Sequence, residues 1–118
     1  MAYDFVRTRD SGRDLELVFD HLFETYLAAG ETDRDAYKRA SSRLCSIEAD
    51  MEALADVPHQ GTRRPDWRTN LRHVTKDSAI FYFEVFGDKR LIRVLAVFFG
   101  GRNHVRHMLF RLGLGDST

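Results

Sequence analysis

The chain is 118 residues long, 43% hydrophobic and 31% charged, which fits one globular domain, residues 1–118, with a buried core. No apolar stretch approaches the roughly 20 residues of a membrane-spanning helix, and the N-terminus lacks the basic and then apolar order of a signal peptide. The single cysteine, Cys45, cannot form an internal disulfide, which suits a reducing compartment. We therefore expect a cytoplasmic protein without a membrane partner.

The net charge is zero, but the two halves of the chain carry opposite charges. Residues 1–58 hold 7 Lys and Arg against 13 Asp and Glu, a difference of −6. Residues 59–118 hold 11 Lys and Arg against 5 Asp and Glu, a difference of +6. The basic half indicates an anionic partner, although the two halves could equally neutralise each other.

A short strand over Tyr3–Arg7 is predicted first, and a helix follows it. Ser11 and Asp14 have the spacing of a weak capping box, which predicts the start of this helix. Gly30 predicts its end. Apolar residues at steps of three and four form one continuous face: Leu15, Val18, Phe19, Leu22, Phe23, Tyr26 and Leu27.

A second helix is predicted from Thr32, with Asp35 as its capping partner, to about Ala55. Cys45 lies near its apolar face, where we expect it to pack as a small hydrophobe. The short link between the two helices predicts an antiparallel hairpin. The apolar face of the second helix consists of Tyr37, Ala40, Leu44, Ile47, Met51 and Leu54.

The C-terminal half predicts three strands and a short helix. Residues 59–66 read as a loop, and strands are predicted over Leu71–Val74, Ala79–Phe86 and Leu91–Phe98. Asn103 is placed to cap the last helix. The predicted fold class is therefore α+β, with an N-terminal strand, an antiparallel helix hairpin packed on a small antiparallel sheet, and a C-terminal helix.

Residues between these strands predict turns and an anchor for the loop. Lys76–Ser78 carries turn residues, and Gly87–Asp88 fits a two-residue hairpin turn. Trp67 directly follows the loop, where a lone tryptophan is expected to cover the core rather than to stack on a ligand.

This order of elements, together with five short segments, resembles the RelE/ParE family of bacterial toxins. Leu54–Gly61 resembles the family's exit from the second helix, and Leu71–Arg72 resembles its strand arginine. Ile80–Tyr82 resembles its central strand, and Arg93–Leu95 with 101–103 resembles its closing strand and tail. The resemblance covers nearly the whole chain.

The resemblance implies a growth-inhibiting toxin, of the kind that also stabilises plasmids, held in a hetero-oligomer by a cognate antitoxin. ParE-like members of the family poison DNA gyrase, whereas RelE-like members cleave messenger RNA on the ribosome. Family members often have a histidine before the Gly-Arg pair, where this chain has Phe99 and Gly100. This departure and the zero net charge favour a ParE-like inhibitor that is not an enzyme. The alternatives are a ribosome-dependent endoribonuclease and a non-toxic interaction module.

If the protein is a nuclease, the expected catalytic residues are Arg72, Tyr82 and His104. Cleavage of RNA needs a base for the 2′-hydroxyl, a cation for the phosphorane and an acid for the leaving oxygen. Strand alternation places Tyr82 and Glu84 on one face of the sheet. The alternative is that Tyr82 is a core residue with a satisfied hydroxyl and that Arg72 is an ion-pair partner.

For a protein or nucleic-acid target, the expected contact residues are Arg72, Arg93, Arg102 and Arg106. His104 and His107 share a helix face, but without a cysteine or a nearby acidic residue they make a poor metal site. We expect neither a metal nor a cofactor.

Overall fold

The computed structural model describes residues 2–100 and 103–115, and the predicted α+β fold is confirmed. The elements follow in this chain order: β1 (Asp4–Arg7), α1 (Arg9–Ala28), α2 (Asp33–Glu52) with a 3₁₀ turn (Ala53–Ala55), β2 (Thr62–Arg63), β3 (Leu71–Lys76), β4 (Ala79–Phe86), β5 (Leu91–Phe99) and α3 (His104–Arg111). None of the described helices has both the length and the hydropathy to cross a membrane.

The two long helices begin at threonine caps. Thr32 caps α2 as predicted, since its hydroxyl oxygen accepts the backbone N–H of Asp35 at 3.1 Å. Helix α1 begins earlier than predicted, because Thr8, in an extended conformation after β1, accepts the N–H of Ser11 at 3.2 Å. Ser11 is therefore a buried residue of the first turn and donates its hydroxyl to the Thr8 carbonyl.

The helix hairpin buries one stripe of each helix against the sheet. Residues of this core share the face that the three-four spacing predicts: Leu15, Val18, Leu22, Ala40, Ile47 and Met51. Cys45 is exposed, so the prediction that it packs in the core is wrong. The buried stripe of α2 runs through Ala40, Ile47 and Met51, which leaves Cys45 on the solvent side of the helix.

The five strands form one sheet in the order β1-β5-β4-β3-β2. Strand β1 pairs with β5 in parallel, whereas all the other pairs are antiparallel, so the sheet is mixed rather than purely antiparallel. The predicted loop after the helices contains the short strand β2. Gly61 permits this pairing, because a Cβ at its φ of +83° would lie 2.3 Å from the His73 carbonyl oxygen.

The turn residues differ from one hairpin to the next. Asp77 and Ser78 form a two-residue turn with φ of 48° and 72°, in the segment predicted to turn. The β4–β5 turn has four residues, because Phe86 pairs with Leu91. The prediction of a two-residue turn at Gly87–Asp88 is therefore wrong.

A β-bulge in β5 changes which side chains reach each face of the sheet. Tyr82 pairs with Ala96 and Phe83 pairs with Val94, so Leu95 is an extra residue without a partner on β4. As a result, Leu95 and Ala96 both pack on the face opposite the helix hairpin, with Tyr82 and Met108. We call this second face the distal face.

The buried carboxylate of Asp14 joins α1, β5 and α3. It accepts the backbone N–H of Val97 at 2.9 Å and two guanidinium N–H groups of Arg111 at 2.7 and 2.9 Å. Arg111 also donates to the Leu95 carbonyl at 3.2 Å. The hydrogen bonds to Asp14 raise the pKa of Arg111, so its charge is permanent.

We predict that Asp14→Ala lowers the free energy of unfolding by about 3 kcal/mol, because it leaves the Val97 N–H and most of the Arg111 guanidinium without partners. The measurement is urea denaturation followed by circular dichroism. Glu48→Ala is the control. Its exposed ion pair with Arg7 should cost less than about 1 kcal/mol. Equal losses in the two variants would contradict the role of Asp14.

Candidate functional site

Four side chains gather around Tyr82 on the distal face. The Tyr82 hydroxyl is 2.8 Å from His104 Nδ1, and the Tyr82 side chain has no exposed surface. The ring of His73 lies 5.2 Å from the Tyr82 ring and 6.0 Å from the His104 ring, centroid to centroid. Strand β3 supplies His73 because it pairs with Tyr82 of β4, and α3 supplies His104 at its first turn. We call Arg64, Trp67, His73, Tyr82 and His104 the distal cluster.

A stack of three side chains holds Arg64 in the distal cluster. The Arg64 guanidinium carbon lies 4.8 Å from the Trp67 ring centroid, and Trp67 in turn stacks on Tyr82 at 6.1 Å and 17°. Two backbone hydrogen bonds to the Arg64 carbonyl, from Trp67 and Arg68, form the turn that brings arginine and tryptophan together. Trp67 therefore covers the core, as predicted, and Arg64 lies on its outer side.

Burial and the nearby Arg64 favour the neutral form of both imidazoles in the distal cluster. Burial, together with the nearby Arg64 and His104, lowers the pKa of His73. Burial and Arg64 also lower the pKa of His104, and burial raises the pKa of Tyr82 to about 12. Tyr82 therefore keeps its proton, and the tautomer of His104 decides whether the hydroxyl or Nδ1 donates in the hydrogen bond between them.

Two nitrogen atoms of the distal cluster are buried without a hydrogen-bond partner among the described residues. They are Arg64 Nε and His73 Nδ1. Buried polar atoms in folded proteins nearly always have a partner, so Arg64 Nε marks where an acceptor would be stabilised and His73 Nδ1 marks a second polar position without a partner. In the described part of the chain, no three His, Cys, Asp or Glu side chains come together as metal ligands.

Next to the distal cluster, Glu84 lies between two arginines. Its side chain is 7% exposed, and its carboxylate oxygens lie 3.7 Å from Arg68 Nη1 and 3.4 Å from Arg93 Nε. Glu84 lies on the same face as Tyr82, as strand alternation predicts. Arg93, which we predicted to contact a target, keeps 46% of its side chain exposed while it balances this carboxylate.

The three residues predicted for catalysis do not form one site. Tyr82 and His104 are in contact, but Arg72 lies on the other face of the sheet, where its strand partner Phe83 packs under the helices. Arg72 donates to the His59 carbonyl at 2.9 Å. The prediction of a shared Arg72–Tyr82–His104 centre is therefore wrong, because neighbouring residues of β3 point to opposite faces.

Arg64 occupies the position that the sequence predicts for Arg72. It lies in an apparent loop of the sequence, and its only signal there is a tryptophan three residues later. Of the remaining predicted contact residues, Arg106 is exposed on α3, and Arg102 lies outside the described residues.

Comparison with known proteins identifies the fold. No family model and no curated protein matches the chain. A chain of the chromosomal ParDE toxin–antitoxin system from P. aeruginosa matches with a TM-score of 0.61 and 22% identity, over 83% of this chain and 96% of that chain. A chain of the RelBE2 toxin–antitoxin complex from Mycobacterium tuberculosis matches with a TM-score of 0.54 and 12% identity, over 84% of this chain and 99% of that chain.

Both solved structures come from toxin–antitoxin systems, and this chain shares their fold, which is the α+β fold of the RelE/ParE type. At these identities the similarity establishes the fold and leaves activity to the residues described above.

The lowered histidine pKa values predict that stability falls as the pH is lowered. A histidine of the unfolded chain has its ordinary pKa of 6.5, so it binds a proton before His73 and His104 do in the folded protein. The contribution of both histidines is therefore complete above pH 6.5 and is lost as pH falls through their folded pKa values. The free energy of unfolding, measured by urea denaturation from pH 7.5 to 5, should show this loss. The loss should be smaller in His73→Gln. His59→Gln is the matched control. An unchanged pH dependence in His73→Gln would contradict the prediction.

Proposed function

We propose that this protein is the toxin of a type II toxin–antitoxin system and that a cognate antitoxin binds and neutralises it. The observation that carries this proposal is the fold, which the chain shares over more than four fifths of its length with chains of ParDE and RelBE2 systems. The distal face provides a second support, because small cationic and aromatic surfaces suit recognition of a large target.

For the target, we propose DNA gyrase, inhibited without catalysis as in ParE-like toxins. Tyr82 is fully buried, so its hydroxyl cannot touch a substrate, and Arg72 is on the other face. The exposed cations Arg93 and Arg106 remain our proposed target contacts.

A second candidate, cleavage of messenger RNA, is favoured by one feature of the distal cluster. Arg64 lies beside two neutral imidazoles, so the cluster offers a cation for a phosphorane and, in His73, a base for a 2′-hydroxyl. Cleavage also requires an acid that protonates the leaving oxygen, and the distal cluster lacks a strong one. A neutral imidazole is a very weak acid, and both histidines are held neutral. This difficulty supports the choice of gyrase over nuclease activity.

Two assays with the purified chain distinguish these targets. We predict that the protein blocks supercoiling of relaxed plasmid by gyrase and leaves message on programmed ribosomes intact. Arg106→Gln should weaken the inhibition about threefold, since an exposed charge pair at an interface rim contributes little more. Arg34→Gln on α2 is the matched control.

The opposite pattern contradicts the gyrase proposal: normal supercoiling together with cleavage of the message at fixed sites. In that case Arg64→Gln should abolish cleavage while the circular dichroism spectrum is retained.

A further inference from the structure

A polar pocket lies beside β2, the edge strand of the sheet, on the face opposite the distal cluster. Its volume is about 240 Å³, and its lining includes Arg63 of β2, Arg72 of β3 and the turn residues Thr69 and Asn70. Drug-sized ligands usually occupy pockets of about 300–1,000 Å³, so this smaller pocket suits a single chemical group. We call it the edge pocket.

Two arginines of the edge pocket lie directly opposite each other. Arg63 pairs with Arg72 in the antiparallel register of β2 and β3, so both side chains project from the same face of the sheet. Residues in this position have Cβ atoms about 5 Å apart, and like charges there destabilise the strand pair. Within residues 2–100 and 103–115, neither arginine forms an ion pair. The described chain therefore does not offset the repulsion between them.

Hydrogen bonds fix the walls of the edge pocket. Arg72 Nη1 donates to the His59 carbonyl oxygen at 2.9 Å, which orients the guanidinium and leaves its charge unbalanced, because a carbonyl is neutral. Val85 of β4 donates its backbone N–H to the Asn70 carbonyl at 3.0 Å, which holds the turn before β3 against the sheet. A pocket that is already formed binds its ligand at a lower cost in conformational entropy.

The lining of the edge pocket decides which ligand fits. None of its described residues is Asp or Glu, so a cation would be repelled by the two guanidinium groups. A carboxylate has one charge and two oxygens, whereas a phosphate monoester has three terminal oxygens and a charge of about −1.5 to −2 at pH 7. Two planar guanidinium groups therefore match a phosphate better. No Phe, Tyr or Trp of the described chain lines the pocket, so a nucleobase would have no aromatic surface to stack on.

We propose that the edge pocket binds a phosphate monoester group between Arg63 and Arg72. The group belongs either to a small phosphate compound or to the 5′ end of a nucleic acid, and the pocket recognises the same dianion in both. A backbone phosphodiester carries a single charge and fits the two arginines less well. The site is separate from the distal cluster and does not depend on the toxin proposal.

Nuclear magnetic resonance of the full ¹⁵N-labelled chain measures this binding. The reporting signals are the backbone N–H groups of Asn70 and Gly87 and the Nε–H groups of Arg63 and Arg72. Inorganic phosphate is added at about pH 7, where most of it is the dianion, while sodium chloride keeps the ionic strength constant. We predict saturable shifts with half-saturation at about 1 mM, as two charge-assisted contacts at a partly exposed site allow.

Arg63→Gln should raise the half-saturation concentration about tenfold, because it removes one of the two guanidinium groups. Arg34→Gln removes an exposed charge on α2 and is the matched control, which should leave it unchanged. Phosphate should also raise the unfolding temperature of the wild type, and Arg63→Gln should lose this shift. Without phosphate, Arg63→Gln should unfold at the wild-type temperature or above it, because the repulsion across the strands is relieved. A lower temperature would assign Arg63 a structural role and contradict the proposal.

A short oligonucleotide with a 5′-phosphate and the same oligonucleotide without it distinguish the source of the ligand. Tighter binding of the phosphorylated form than of inorganic phosphate would identify a nucleic-acid end, and equal or weaker binding would identify a small phosphate compound. Three results would overturn the proposal: equal binding of the two oligonucleotides, shifts that grow with phosphate and never saturate, or the same phosphate affinity in Arg63→Gln and the wild type.

Discussion

The position of the last helix, and with it the geometry of the distal cluster, depends on one buried carboxylate. Helix α3 has eight residues, too few to be stable alone, and its first residue has no side-chain cap. Asp14 holds Arg111 at the end of α3, and Met108 is fully buried beneath it. Because α3 starts with His104, this anchor places an imidazole on the Tyr82 hydroxyl. A residue of the first helix thus fixes a contact formed by the last one.

The two opposite charges of the chain have separate places in the fold. The acidic half forms the helix hairpin, where Glu16 and Asp20 line an apolar groove between the two helices. The basic half forms most of the sheet, and Arg64, Arg68 and Arg93 reach its distal face. Among the basic residues of α2, Arg39 lies over the Tyr26 ring, and Arg43 donates to the Asp77 carbonyl. The charge asymmetry therefore corresponds to two separate surfaces, and the buried Asp14–Arg111 pair joins the acidic half to the basic half.

The sequence predicts well what local spacing decides. Three-four periodicity gives both long helices, and alternation gives β4 and places Glu84 beside Tyr82. What depends on distant pairing could not be predicted. The bulge at Leu95 is set by how β5 meets β4, and the place of Arg64 is set by a stack on Trp67 and by pairing across β2 and β3. Arg72 lies apart from Tyr82 and His104 for a related reason, since its family-like position in the sequence does not specify which face its side chain takes.

Induced expression in a bacterial host, with viable counts over time, tests the central claim most directly. The proposed toxin should arrest growth once it accumulates, and co-expression of the protein encoded beside it should restore growth. An Asp14→Ala chain, whose α3 anchor is lost, should be less toxic at equal expression. Unaffected growth in cells that contain abundant folded wild-type protein and no partner would contradict the claim.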